Sequence, residues 1–456
     1  MTNIPRMEYD VIVIGGGSAG VGAAAGASQA GARTLLIERG PCLGGAATQK
    51  NVLTYCGHYT QSDPPMQAVG GVASAVLDQL RRLGGIEAPV RLPAPSGHVV
   101  DIIDPEATKL ALDRVVAASG AEVLLHTTLV NAARERDAIA TITVQDDRGP
   151  RELSARAFVD ASGDGNLAAL SSSSVRYGNH GTVQVGTMAV RFAGIRPGAD
   201  RSPERWREAI RSAKAKGNAL LDKEDGLMLP LPISGDIITY FIDAAYDALD
   251  GASISRAEIE GRERTWAYLD AIRTIPGYKD CYIVSSGPNF GTRESRHINA
   301  QYQISERDVV EGARFDDVVA LGAWPVEFHQ SGGKPTLWKN IRDNKTFDIP
   351  LRALKSVDTR NLFAAGRLAD GDSGAGSSIR VMGTSFATGQ GAGVAAALLA
   401  QGGDSVPAVQ WELENQGAVI NAASRQQAFA VPLRRECEHS DSLRSDQNQQ
   451  RQLRYS

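Results

Sequence analysis

The chain has 456 residues, 42% hydrophobic and 22% charged, with a formal net charge of −4. These values describe a globular protein of two domains, or one large domain with insertions, and give no electrostatic case for nucleic acid or an anionic membrane as partner. No apolar run reaches the roughly 18 residues of a membrane span, and the four scattered cysteines (Cys42, Cys56, Cys281, Cys437) make no disulfide, zinc or iron–sulfur motif.

The first element is decisive. Asp10-Val11-Ile12-Val13-Ile14 is a short apolar run fit for one buried strand. Gly15, Gly17 and Gly20 follow at the spacing G-x-G-x-x-G, with Ser18 and Ala19 between them, and a small-residue helix runs to Ala30 before Gly31. A second strand, Thr34 to Ile37, ends in Glu38 and Arg39. Strand, glycine turn, helix, strand and acid together make a dinucleotide-binding βαβ unit. Gly15 permits the tight turn, Gly17 lets a pyrophosphate reach bare backbone, and Gly20 lets the helix lie close on the sheet. Free N–H groups at the helix N-terminus favour the phosphates, and Glu38 is placed to accept ribose hydroxyls. No basic and hydrophobic leader precedes this strand, so a reducing cytoplasm is the expected location.

Next comes Leu43-Gly44-Gly45-Ala46-Ala47-Thr48, whose glycine pair lets backbone run along a cofactor. Cys42 reads as structural. The segment 51–60 concentrates Tyr55, Cys56, His58 and Tyr59. Helices are expected over 69–83 and 104–119, and a loop or edge strand over 88–98. Strands are expected over 121–127, 139–145 and 155–159, with His126 a core histidine. The last of these ends in Asp160-Ala161-Ser162-Gly163-Asp164, a second strand-to-loop crossing beside the cofactor.

From about residue 175 to 354 the texture changes. Strands expected over 184–192 and 237–243 alternate with polar helices over 203–216 and 256–275, reading as an inserted α+β substrate domain. It holds Gly291-Thr292-Arg293-Glu294-Ser295-Arg296, a capped helix start at Ser305 to Asp308, and Trp324-Pro325-Val326-Glu327-Phe328-His329. The chain then returns to the first domain (1–174 and 355–422). Asn361 to Gly366 is a strand ending in glycine, Asp370 to Ser378 a small-residue loop, and a helix over 386–400 follows Val381-Met382. A packing helix is expected over 413–420 and a disordered tail over 423–456.

Four separated pieces, IGGGSAG with Glu38, LGGAAT, FVDASGDGNLAAL and NLFAAGR with RVMGTSFATGQGAGVAAAL, together resemble the glutathione-reductase-like FAD-dependent oxidoreductases. The segment GTRESRHI is similar to a piece of the succinate dehydrogenase and fumarate reductase branch. The resemblance implies an α/β fold, with a Rossmann-like FAD-binding domain on a parallel central sheet. It implies FAD at the first fingerprint, Gly44, Gly45 and Thr48 along pyrophosphate and flavin, and Ala161, Ser162 and Gly163 beside the adenosine. Gly366, Val381 and Met382 would close over the ring. His297 stands where that branch has arginine, and Gly383 where many relatives have proline.

The expected function is oxidation, desaturation or the reverse reduction of a small-molecule substrate by hydride transfer to flavin N5. Arg293 and Arg296 would hold a substrate carboxylate, and His58 or His329 would carry the proton. Two alternatives stand beside it: a flavin monooxygenase, and an assembly subunit with structural flavin. A homo-oligomer is compatible with the sequence.

Overall fold

The computed structural model describes residues 7–92, 97–224, 226–330, 336–421 and 433. The tail expected over 423–456 and Cys437 lie outside them, apart from Leu433. β1 (Met7–Ile14), α1 (Ser18–Gln29) and β2 (Thr34–Ile37) form the expected βαβ unit, with Val11–Ile14 paired in parallel to Thr34–Ile37. β3 (Glu122–Leu124) extends the sheet beyond β2. On the other side β1 pairs in parallel with the C-terminal half of a long strand, and two shorter strands fold back on that strand's start. These are β4 (Thr128–Glu135), β5 (Ala138–Asp146) and β6 (Gly149–Asp160). β7 (Leu362–Ala364) returns from far along the chain to pair with Phe158–Asp160. Five strands in the order β3-β2-β1-β6-β7 are therefore parallel. Val11, Ile12 and Val13 are fully buried, which is why β1 reads as an unbroken apolar run: helices and the meander cover both faces of a parallel sheet.

A second, antiparallel sheet holds Met228–Pro230, Ile237–Ala244, Gly186–Ala193 and Tyr282–Ser286, in that order. With the helices Pro203–Ala215 and Gly251–Ile272 it encloses its own core of Met188, Phe192, Trp206, Phe241, Tyr268 and Tyr278. Further on, Val318–Gly322 pairs with Phe347–Pro350. Val319, Ala320, Phe347 and Ile349 belong to the core that contains α1, so this stretch packs with the first region.

The helix after β7 is α2 (Met382–Ala400), which starts four residues before its expected onset. Small residues let it lie against α1 backbone to backbone. A Cβ on Gly389 would collide with Ala19 O, one on Gly393 with Ala23 O, and one on Gly22 with Phe386 O. The Gly389–Ala19 and Gly393–Ala23 contacts advance together along both helices, so α1 and α2 run parallel and present their N-termini at the same end.

Three local expectations are corrected. Asp370–Ser378 is not a loop: Ser373–Ile379 is helical, with the Asp372 side chain accepting from Ala375 N. Its Gly and Ser content hides this, because propensity is low and the cap carries the start. His126 is exposed, at φ 52° in a turn after β3, and not in a buried strand. The packing helix lies at Val406–Asn415, ahead of the expected 413–420. By contrast Ser305 and Asp308 form the expected capping box.

Candidate cofactor and active site

The glycine turn after β1 is shaped by contact with the crossing after β6. Gly15 sits at φ 99°, and a Cβ there would lie 2.5 Å from Ala161 O. A Cβ at Gly20 would collide with Gly15 O, so α1 can start where it does only with glycine there. Gly17 caps α1 with no side-chain cap bond among the described residues, and a Cβ added there would come within 4 Å of Gly45 Cα alone. The Gly44–Gly45 strap lies alongside: Gly44 N donates to Gly16 O at 2.8 Å, and Gly44 and Gly45 take φ 114° and 52°. Thr48 Oγ1 donates back to Leu43 O at 2.6 Å and pins the strap. Glu38 accepts from Gly16 N and from Gly40 N, both at 2.6 Å, bracing the fingerprint loop. Arg39 beside it is exposed.

Two observations test whether a dinucleotide fits. Ser18 Oγ is buried at the α1 N-terminus and has no hydrogen-bond partner among the described residues. The first turn of α1 beside it has no side-chain cap among the described residues. A buried hydroxyl left unpaired costs about 1–3 kcal/mol; a pyrophosphate oxygen would accept from it and from the helix end.

The other cradle residues gather at the same end. Gly366, at φ 70°, donates its N–H to Thr388 Oγ1 at 3.1 Å, and a Cβ there would lie 2.9 Å from Ala19 Cβ. Val381 caps α2 without a side-chain bond among the described residues, and the first turn lies against residues 56–58, where a Cβ at Gly383 would come 2.5 Å from Cys56 O. Ser162 N donates to Asp160 Oδ1 at 3.0 Å, and Ser162 Oγ accepts from Asn166 N at 3.0 Å, which fixes the crossing after β6. Gly163, at φ 80°, lies against the Arg367 guanidinium, which donates to Gly163 O, to Thr292 O at 3.1 Å and to Asp164 at 2.7 Å. One arginine thus clips both strand crossings to the second region.

The expected arginine pair is split. Arg296 donates to Asp164 O at 3.1 Å and to Asn166 Oδ1 at 3.4 Å, so it holds the crossing loop. Arg293 donates to Val185 O at 2.6 Å and has no carboxylate within ion-pair distance among the described residues. Burial, and then the Arg380 charge, lower its pKa to about 10. Near it lies a cluster around Glu327, of which only His329 is expected from the sequence as a site residue. Glu327 accepts from Trp324 Nε1 at 2.9 Å, Arg380 at 3.3 Å and His329 Nε2 at 3.0 Å. Burial opposes its charge, yet His329, Arg380 and Trp324 together hold the carboxyl well below the usual range. His329 is pushed the other way, to about 4, by burial and by Arg293. Neutral His329 donates from Nε2 to Glu327 and accepts at Nδ1 from Thr336 Oγ1 at 3.2 Å. One signal could have found Glu327: an acid two residues before a histidine in a strand shares its face.

His58 is placed away from open space. It is 1% exposed, with Nδ1 2.7 Å from Asp101 and Nε2 without a partner among the described residues, enclosed by Tyr55, Tyr59 and Phe386. A Cβ at Gly383 would lie 2.7 Å from its ring, so the missing proline leaves room for this histidine. Burial raises the Cys56 thiol far above its ordinary value, which removes thiolate chemistry. No group of three or more metal-ligating side chains, and no helix long and apolar enough to cross a membrane, is found among the described residues.

Solved structures similar to this chain include a geranylgeranyl bacteriochlorophyll reductase-like protein from Thermoplasma acidophilum (14% identity, TM-score 0.46, 90% of this chain and 83% of that one). Another is p-nitrophenol 4-monooxygenase from Pseudomonas putida (10%, TM-score 0.48, 91% and 85%). The chain spans 66% of an aromatic hydroxylase from angucycline biosynthesis (14%, TM-score 0.44, 90% of this chain). No curated protein matches the sequence. A family profile described as FAD dependent oxidoreductase matches residues 10–417. Fingerprint, strap, crossing and α2 all fall within that span, and the chain belongs to the FAD dependent oxidoreductase family.

Proposed function

We propose that the protein oxidises or desaturates a small organic molecule carrying an anionic group, in a site between the FAD cradle and the inserted region. The observation that carries this reading is Arg293, a largely buried guanidinium with one carbonyl partner and no carboxylate among the described residues. A charge so placed is costly unless an anion joins it. Arg380 and Glu327 next to it fix the local field, and a substrate carboxylate would be held by Arg293 against that pair. Bound FAD supplies the hydride acceptor. Gly15, Gly17, Ser18, Gly44, Gly45, Gly366 and the α2 N-terminus would hold it, with the partial positive charge of α2 favouring an anionic cofactor. The arrangement of Arg293 and Arg296 differs from a paired clamp, so the likeness of GTRESRHI to the succinate dehydrogenase branch supports the reading through Arg293 alone.

The test is anaerobic screening of hydroxy, amino and saturated carboxylic acids for bleaching of the flavin band, with wild type beside Arg293→Met. One acid class is expected to bleach the wild type, and the variant should lose about 10- to 150-fold in kcat/KM at unchanged flavin content. That range is the fold-change of a charged hydrogen bond worth about 1.5–3 kcal/mol. Equal bleaching by neutral substrates in both proteins would sink the anionic-substrate reading. NADPH consumption that depends on an aromatic substrate would favour a monooxygenase, and a flavin that nothing bleaches would favour a structural role.

A further inference from the structure

A guanidinium on a long, flexible side chain binds a carboxylate well only when something aims it, because ordering the side chain costs affinity. The carbonyl that Arg293 holds, Val185 O at 2.6 Å, belongs to the lead-in of the strand Gly186–Ala193. That lead-in is fixed on both sides. After it, Thr187 and Gly291 exchange backbone hydrogen bonds at 3.1 and 2.8 Å as an antiparallel bridge, which lays residues 184–187 against 291–294. Before it stands Gln184, whose side chain is buried. Gln184 N donates to Glu294 Oε2 at 3.1 Å, and Gln184 Oε1 accepts from His329 N at 3.2 Å. The surroundings set the direction of the amide: its oxygen meets an N–H and its nitrogen meets a carboxylate. Burial opposes the charge of Glu294, but hydrogen bonds from His297, then from the backbone and side chain of Gln184, hold its carboxyl below the ordinary value. On the other side His329 Nε2 donates to Glu327 at 3.0 Å, and Glu327 accepts from Arg380 at 3.3 Å. One amide therefore joins the backbone that aims Arg293 to the strand end that carries the Glu327–Arg380 pair.

We propose that Gln184 is the positioning residue of the anion pocket: it fixes Arg293 relative to the Glu327–Arg380 pair and so decides how well a carboxylate seats between them. This rests on the anionic-substrate reading of the same site. Gln184 acts through Val185 O on one side and through His329 on the other. Val326–Phe328 pairs with Leu337–Lys339 and lies outside the sheet that contains Gly186–Ala193. Among the described residues no strand ladder sets the separation of the two halves of the pocket, and a side chain has to do so. A misplacement of about 1 Å in such a clamp costs on the order of 100-fold. A purely structural glutamine would add stability and leave the preference for charge untouched.

The experiment is a double-mutant cycle on the FAD-loaded full chain: wild type, Gln184→Met, Arg293→Met and the double variant, with flavin content and melting temperature checked first. Benzoate is the probe and benzamide its neutral counterpart, each titrated against the visible flavin band. Methionine keeps the length of glutamine and removes both side-chain bonds. Gln184→Met should weaken benzoate binding about 10- to 100-fold and leave benzamide within about 2-fold of wild type. In the Arg293→Met background the same substitution should cost less than about 2-fold, because nothing is left to aim. Gln184→Asn keeps the amide but is a methylene too short to span both partners. It should lose benzoate affinity in the same direction, and it carries the cycle where Gln184→Met does not load FAD. Equal losses in both backgrounds, or benzoate affinity that survives Gln184→Met but not Arg293→Met, overturn the positioning role and leave the anionic-substrate reading standing. Benzoate bound no better than benzamide by wild type, or binding indifferent to Arg293→Met, overturns that reading and the positioning role with it.

Discussion

At the scale of single residues, this protein separates the groups that hold charge from those that change it. Glu327 is held as a carboxylate, while His329 beside it is kept neutral at neutral pH by burial and by Arg293. The sign of its effect on stability follows from linkage. An unfolded histidine takes a proton near pH 6.5, whereas folded His329 resists until about 4. As pH falls through that window protons accumulate on the unfolded chain, so the folded state loses stability, by about 3 kcal/mol at most. His329→Asn should therefore melt with a smaller acid shift than wild type between pH 6.5 and 4, and with a similar one above pH 7. Parallel melting curves of the two proteins across pH 4–7 would refute this. Residues of this kind are the least legible in a sequence. His58, His126 and His329 look alike there, yet one lies in the core, one in an exposed turn and one in a charge cluster, because each environment is made by elements far apart in the chain.

Elements were legible wherever the signal was local and repeated. β1, α1 and β2 follow from an apolar run, three glycines and an acid. The long α2 follows from a small-residue stretch, although its partner could not be read from composition. That partner is α1, and the contact is made by glycines that bring backbone onto backbone. Gly393→Ala would drive a methyl into Ala23 O, where no flexible side chain can yield. Overpacking of this kind costs about 1–3 kcal/mol or more, and it would splay the two N-termini proposed to hold the cofactor. Lower stability together with reduced flavin content, read from the ratio of flavin to protein absorbance, is the expected result. Gly251→Ala makes a clean comparison: it opens the Gly251–Ile272 helix with nothing within 4 Å of an added Cβ. Alanine there should be neutral or slightly stabilising. A Gly393→Ala protein as stable and as yellow as Gly251→Ala would show that the tight helix pairing is not needed for the cradle.

Across the whole molecule, Arg367 does what no element does alone. It sits just after β7, reaches Gly163 and Asp164 at the end of β6, and crosses to Thr292 in the inserted region. Removing it strips Asp164 of its cation while leaving Ser295 as a partner, and breaking a buried pair from one side costs about 3–5 kcal/mol. At 17% and 12% side-chain exposure this pair is only partly screened, so a loss near the lower end is expected for Arg367→Met. The second consequence concerns cooperativity. The inserted region has its own core around Trp206, Phe241 and Tyr268, so its unfolding is joined to that of the cradle through seam contacts such as this one. Calorimetry of the FAD-loaded wild type should show one transition. In Arg367→Met it should broaden or split, with added FAD raising only the part that contains the cradle, by about 2.7 kcal/mol at 100 times Kd. Adding Asp164→Asn removes the stranded carboxylate and should recover part of the stability without restoring the coupling, since the contact to Thr292 stays lost. A single sharp transition in Arg367→Met, with FAD affinity unchanged, would mean that the other seam contacts, such as Gln49 to Asn289 and Asn51 to Ser285, suffice to join the two regions.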